Sequence, residues 1–77
     1  MLREVNNSKD IFFSIIVPTY NRAHMVIKTL RTLQKQQYGN YEIIVVDDGS
    51  TDNTSEAVSQ INDARIIYTK KKNFFFI

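Results

Sequence analysis

Three short apolar runs alternate with two stretches whose apolar positions recur at helical spacing. Phe12–Val17 is a near-continuous run of aromatic and β-branched residues, and Pro18 is expected to end it. A run apolar on both faces is the pattern of a strand buried in a parallel sheet. Ile43–Val46 has the same character and stops at Asp47, Asp48 and Gly49, while Arg65–Thr69 is a weaker third run. Between them, from about Arg22 to Gln37, Ala23, Val26, Ile27, Leu30 and Leu33 share one helical face, and Lys28, Arg31 and Lys35 fall on another. Asn21 reads as the N-cap and Gly39 as the stop. A shorter helix is expected from Thr54 to Ile61, capped by Asp52 or Asn53, with Asn53 and Glu56 spaced close to a capping box. Strands alternating with helices imply right-handed crossovers and an α/β fold on a parallel sheet.

Composition narrows the class without naming it. The 77 residues make one small domain at most, and 43% of them are hydrophobic, too many for a disordered tail. Ten Lys and Arg against eight Asp and Glu leave a formal charge of +2, which argues against a nucleic-acid binder. The absence of Cys excludes disulfides and thiolate metal sites. Gly39 and Gly49 are the only glycines, so neither a dinucleotide fingerprint nor a P-loop can be assembled. The polar N-terminus lacks the apolar run of a secretory signal, and no run approaches the ~20 residues that span a bilayer. A cytoplasmic chain is expected, with docking at the inner face of a membrane as the alternative.

The predicted order concentrates chemistry at the carboxyl ends of the strands, where ligands of open α/β sheets bind. One loop there is Pro18-Thr19-Tyr20-Asn21-Arg22; the second is Asp47-Asp48-Gly49-Ser50-Thr51-Asp52. Two adjacent carboxylates cannot both be buried unpaired, because burying an ionised group is costly. They call for hydrogen-bond donors, a cation or water, and a nucleobase N–H, sugar hydroxyls or a phosphate-bearing metal would answer that need. Turn and helix capping is the competing role, favoured for Asp52, while Asp48, at the strand end, is better placed for a ligand. Tyr20 offers a flat face for stacking on a base, with core packing as its alternative. Arg22 is within reach of a phosphate or else solvated; Thr19 and Asn21 read first as turn and cap residues. His24 reads as a solvated surface residue.

Charge is unevenly spread. Ile11–Tyr41 carries Arg22, Lys28, Arg31 and Lys35 with no acid, whereas Glu42–Glu56 carries five acids with no base. An acidic edge suits the neutral part of a ligand, so a base and ribose are expected at the aspartates, with the phosphates elsewhere.

Ser14-Ile15-Ile16-Val17-Pro18-Thr19-Tyr20-Asn21-Arg22, then Leu30, Leu33 and Gln36, then Tyr41 through Asp52 resemble the start of a family 2 glycosyltransferase with the GT-A fold. The match runs from about Ser14 to Tyr68. The resemblance implies an incomplete, Rossmann-like nucleotide-diphospho-sugar transferase fold of three parallel strands and two crossover helices. It also implies a nucleotide-diphospho-sugar donor, most often a UDP-sugar, and transfer of the sugar to an acceptor hydroxyl. By the same analogy Pro18 and Tyr20 line the base pocket, Asp48 accepts a hydrogen bond from the base, Asp47 supports the loop, and Thr19 and Arg22 complete the substrate-binding set. The family holds Mg²⁺ or Mn²⁺ on an Asp-x-Asp motif after a later strand; that motif, and the catalytic base, are not in this chain.

Three segments are thus expected: an N-terminal extension over 1–11, the N-terminal part of a glycosyltransferase domain over 12–69, and an atypical tail over 70–77. The Lys-Lys-Lys-Asn-Phe-Phe-Phe-Ile tail departs from the family pattern, and its residues suit A- and T-rich codon tracts, so a frameshift or early stop is expected, and with it an inactive chain. The resemblance further implies that Phe12–Val17 would stand as an unprotected sheet edge, prone to self-association. The competing readings are a receiver-like or interaction module built on the aspartate pair, and a non-functional gene remnant.

Overall fold

The computed structural model describes residues 11–37 and 39–71. The expected extension up to residue 10, and the tail from residue 72, lie outside the described residues. Five elements follow in the predicted order: β1 (Phe13–Thr19), α1 (Ala23–Gln34), β2 (Tyr41–Asp47), α2 (Thr54–Ser59) and β3 (Ile66–Lys70). The strands form one parallel sheet in the order β1-β2-β3.

Register and strand alternation explain the core. Ile15, Ile43 and Ile66 lie level across the sheet, as do Val17, Val45 and Tyr68. These residues point to one face, where Val26 and Leu30 of α1 and Val58 and Ile61, within and just beyond α2, close over them. Leu30, Ile43 and Val45 are fully buried. Truncating any of them to alanine would cost about 2–5 kcal/mol, a large share of the stability of so small a domain.

The other face differs from expectation. Ile16, Ile44 and Ile67 are level on it, and Ile16 and Ile67 are 56% and 43% exposed. Phe12–Val17 was expected to be buried on both faces; both crossovers place their helices on the same side, so among the described residues only one face is covered. The strand also continues through Pro18, which is paired level with Val46. Among the described residues β1 pairs with β2 alone, so no other described strand asks Pro18 for a donor.

Both helices are shorter than their patterns. α1 stops at Gln34 rather than Gln37, and Gly39 lies five residues past its end. Beyond Leu33 the chain offers Gln34, Lys35, Gln36 and Gln37, with nothing apolar to pack, and packing is what sustains a short helix. The Tyr41 hydroxyl donates to the Leu33 carbonyl at 3.0 Å, beside the Gln36 amide that donates to the same carbonyl at 3.1 Å, and so ties β2 to the end of α1. At the same end Asp63 accepts from Gln34 and pairs with Arg65 at 2.9 Å, while the Arg65 guanidinium lies 4.6 Å from the centre of the Tyr41 ring. Among the described residues no helix is long and apolar enough to cross a membrane.

Candidate functional site

The carboxyl ends of β1 and β2 meet in a hydrogen-bonded clasp. The Asp48 amide donates to the Thr19 carbonyl at 3.0 Å, which sets the β1–α1 loop beside the β2–α2 loop. Asn21 then bridges them. Its own amide donates to Ser50 Oγ at 2.8 Å, and its Oδ1 accepts from the amides of Thr51 at 2.7 Å and Asp52 at 3.2 Å. Asn21 is therefore a bridge between loops and not the cap of α1; Arg22 holds the N-cap position and makes no side-chain cap bond. Asp52 takes the capping role for both helices. Its Oδ2 accepts from the Ala23 amide at 3.3 Å and its Oδ1 from the Thr54 amide at 3.0 Å and the Thr54 hydroxyl. The Asn53 side chain makes no cap bond, so the expected capping box is not used.

The adjacent aspartates have opposite fates. Strand alternation turns Asp47 toward the helices, where it is fully buried. Its Oδ1 accepts from the Ser50 amide at 2.9 Å and from Ser50 Oγ at 2.6 Å, and its Oδ2 accepts from the Tyr68 hydroxyl. Gly49, at φ 86°, makes the turn that brings Ser50 back onto Asp47. Asp48, one residue on, is exposed, and its carboxylate has no hydrogen-bond partner among the described residues. Tyr20, 53% exposed, flanks the Thr19–Asp48 bond on the other loop. Thr19 is buried and contributes its carbonyl, Pro18 is exposed on β1, and Arg22 is exposed at the start of α1. The structure thus brings Tyr20, Asp48 and the Thr19 backbone together, and leaves Arg22 outside the clasp.

Ser50 and Tyr68 are the site residues that sequence reasoning passed over. The signals were present: a Ser three residues after Asp with an intervening Gly is an Asx-type turn, and Tyr68 shares the core-facing parity of β3 with Ile66. Burial alone would raise the Asp47 carboxyl, but the bonds from Ser50 and Tyr68, with Lys70 nearby, hold it below the usual range. The same burial, and then the bond to Asp47, pushes the Tyr68 hydroxyl up to about 12, so it stays a donor at neutral pH. Arg65 and Gln34 hold Asp63 far below the ordinary carboxylate range.

These depressed carboxyls give stability a pH dependence of definite sign. The unfolded chain binds protons more tightly at these sites, so their contribution is complete above about pH 5, begins to fall near the unfolded value of ~4, and is lost as pH drops through the folded values. Urea melts at pH 7, 5, 4 and 3 should give similar midpoints for the first two and falling midpoints for the last two. A midpoint that holds steady down to pH 3 would contradict the clasp.

A metal does not fit this edge as it stands. Both Asp47 oxygens are occupied by the chain's own donors, leaving Asp48 as a single carboxylate, and no cluster of three or more His, Cys, Asp or Glu able to hold a metal occurs among the described residues. The receiver-like alternative needs the aspartate pair for its cation, and the pair is not available.

The chain is similar to known glycosyltransferases. The chain is 40% identical over 74 residues to an uncharacterized glycosyltransferase of Rickettsia conorii, covering 95% of this chain and 12% of that protein. It is 42% identical over 57 residues to the Escherichia coli UDP-Glc:α-D-GlcNAc-diphosphoundecaprenol β-1,3-glucosyltransferase WfgD, covering 74% of this chain and 22% of that one. A mannosyltransferase from Pyrobaculum calidifontis, solved with GDP-Man and Mn²⁺, superposes with a TM-score of 0.65 at 33% identity, over 78% of this chain and 19% of that chain. The chain therefore spans from about an eighth to about a fifth of these proteins. The glycosyl transferase family 2 model matches residues 14–76, from the first residues of β1 through β3 and beyond, and the chain belongs to that family.

Proposed function

We propose that the strand-end clasp forms the nucleoside side of a donor site, which binds a nucleotide-diphospho-sugar for transfer of its sugar to an acceptor hydroxyl. One observation carries this reading: next to a fully satisfied Asp47, the clasp presents at Asp48 a carboxylate without a partner among the described residues, and at Tyr20 an exposed aromatic ring. Together they match a planar base that carries an N–H donor. Uracil is the base preferred here, in keeping with the UDP-glucose in the name of the E. coli relative; guanine, the base of the mannosyltransferase's GDP-Man, offers the same kind of donor. Pro18 would border the ring, Arg22 would meet the phosphates, and Asp47 and Thr19 act from behind the surface. Asp52 already fills the two helix starts beside the clasp, which favours placing the diphosphate away from it. The Mn²⁺ of the mannosyltransferase complex supports a divalent cation on the diphosphate in the family. In this chain the described residues supply no cluster for one.

The test is a titration of the ¹⁵N-labelled chain with uridine diphosphate. Shifts confined to the amides around Tyr20 and Asp48 are expected. Their absence at millimolar nucleotide would remove the reading. The relative's diphosphoundecaprenol acceptor favours a lipid-linked acceptor, cell-envelope polysaccharide synthesis, and a reaction at the inner face of the membrane.

Self-association belongs to the same proposal. β1 has one strand neighbour among the described residues, and Ile16 and Ile67 stand exposed on the open face. Such a surface promotes association of copies. Sedimentation velocity at rising concentration should show the weight-average size increase, and Ile16→Lys with Ile67→Lys should suppress the increase. A concentration-independent monomer of the unaltered chain would count against it.

A further inference from the structure

We propose that Asn21 is the positioning residue of this site: by tying the first loop to the second it sets the spacing of Tyr20 and Asp48, and so governs nucleotide affinity without touching the nucleotide. The proposal rests on the nucleotide reading above.

Three features of Asn21 support it. Its backbone sits at φ 49°, in the left-handed region that asparagine, aspartate and glycine tolerate far better than other residues. That conformation lets one residue address the second loop twice, through its amide to Ser50 Oγ and through Oδ1 to the amides of Thr51 and Asp52. The bonds are therefore made to positions 29 to 31 residues along the chain, and each end lies next to a proposed ligand contact: Tyr20 precedes Asn21, and Asp48 stands two residues before Ser50.

The clasp also has a fixed direction. Asn21 N–H donates to Ser50 Oγ, and Ser50 Oγ–H donates on to the buried Asp47 carboxylate. Ser50 is thereby held from both sides, and with it the turn that carries Asp48. Without Asn21 Oδ1, the remaining ties between the loops are the Thr19–Asp48 backbone bond, the Asn21–Ser50 bond and the 3.3 Å bond from Ala23 to Asp52. The Asp48–Asn53 loop, with Gly49 in it, then gains conformations in which Asp48 is out of step with Tyr20. A ligand that bridges the two binds only the competent fraction. If that fraction falls to about one tenth, apparent affinity falls about tenfold.

Two substitutions separate positioning from contact. Asn21→Gly keeps the left-handed backbone and the amide donor but removes the acceptor. Asn21→Asp keeps the acceptor and the backbone preference but exchanges the side-chain NH₂ for a negative charge. For the full chain titrated with uridine diphosphate, N21G should bind about tenfold more weakly and N21D within about twofold of the unaltered protein. In N21G the Tyr20 and Asp48 amides should also broaden in relaxation-dispersion NMR, with the Leu30, Ile43 and Val45 methyl signals unchanged. N21G binding as tightly as the unaltered chain would overturn the proposal. So would N21D binding as weakly as N21G in high salt, where the charge that aspartate adds is screened, because the NH₂ group would then be a ligand contact. If the unaltered chain binds no uridine diphosphate, the nucleotide reading fails by itself. The relaxation data then decide the loop tie: broadening at Tyr20 and Asp48 supports it, and unchanged dispersion refutes it.

Discussion

Asp47→Ala should cost the domain about 3 kcal/mol, while Asp48→Ala, one residue along, should change stability by no more than about 0.5 kcal/mol. The contrast follows from what each carboxylate touches. Asp47 is fully buried and receives three hydrogen bonds: two from Ser50 and one from Tyr68. Bonds to an ionised acceptor contribute about 1.5–3 kcal/mol each in net terms, and their loss is not additive because the donors relax together. Removing the carboxylate leaves the Ser50 amide, which is buried, without an acceptor, and frees the hydroxyl that holds Asn21. Asp48 donates its backbone amide to Thr19, which alanine would still do, and its side chain gives up no hydrogen bond among the described residues. Urea denaturation followed by circular dichroism measures both variants on one scale. Equal costs at the two positions would show that the buried network does not exist in solution. Asp47→Asn should fall between the extremes, since an amide oxygen can still accept from Ser50 and the Tyr68 hydroxyl can turn to accept from the amide nitrogen.

How far this was legible in advance depended on the range of the interaction. β2 was legible from Ile43–Val46 because an unbroken β-branched run needs only its own residues to declare itself, and the α1 stripe of Val26 and Leu30 likewise reported the buried face. The misread features were those decided at a distance. Asn21 looks like a cap when its neighbours alone are considered; its real partners lie 29 to 31 residues away and meet it only because β1 and β2 are parallel and in register. Pro18 looks like a terminator until its level pairing with Val46 of β2 is seen. Burial of Phe12–Val17 on both faces was inferred from its composition, but composition cannot say on which side the crossovers will lie. The aspartate pair was readable in part. Its place at a strand end singles out Asp48 for a ligand, and it is the parity of β2 that sends Asp47 inward.

Nucleotide selectivity should collapse on substitution of Asp48 and survive substitution of Tyr20, where only affinity falls. A carboxylate at the base edge accepts the ring N–H of uracil, whereas cytosine presents a lone pair there and is repelled. Uridine diphosphate should therefore bind the unaltered chain at least tenfold more tightly than cytidine diphosphate, the loss of one bond to a charged acceptor being about 1.5–3 kcal/mol and 1.4 kcal/mol being tenfold. Asp48→Asn replaces one acceptor oxygen by an NH₂ donor. It should weaken uridine diphosphate about tenfold and strengthen cytidine diphosphate, so the ratio of the two affinities approaches one. Tyr20→Ala removes a stacking surface to which every base is equal, at about 1–3 kcal/mol. It should weaken both nucleotides by similar factors and leave their ratio intact. The two residues thus separate on one pair of titrations, affinity from Tyr20 and discrimination from Asp48. Neither variant should alter the urea midpoint, because Tyr20 is 53% exposed and the Asp48 carboxylate is outside the Asp47 network. If Asp48→Asn lowers both nucleotides equally, the side chain supports the site without reading the base, and the uracil assignment fails even though nucleotide binding stands.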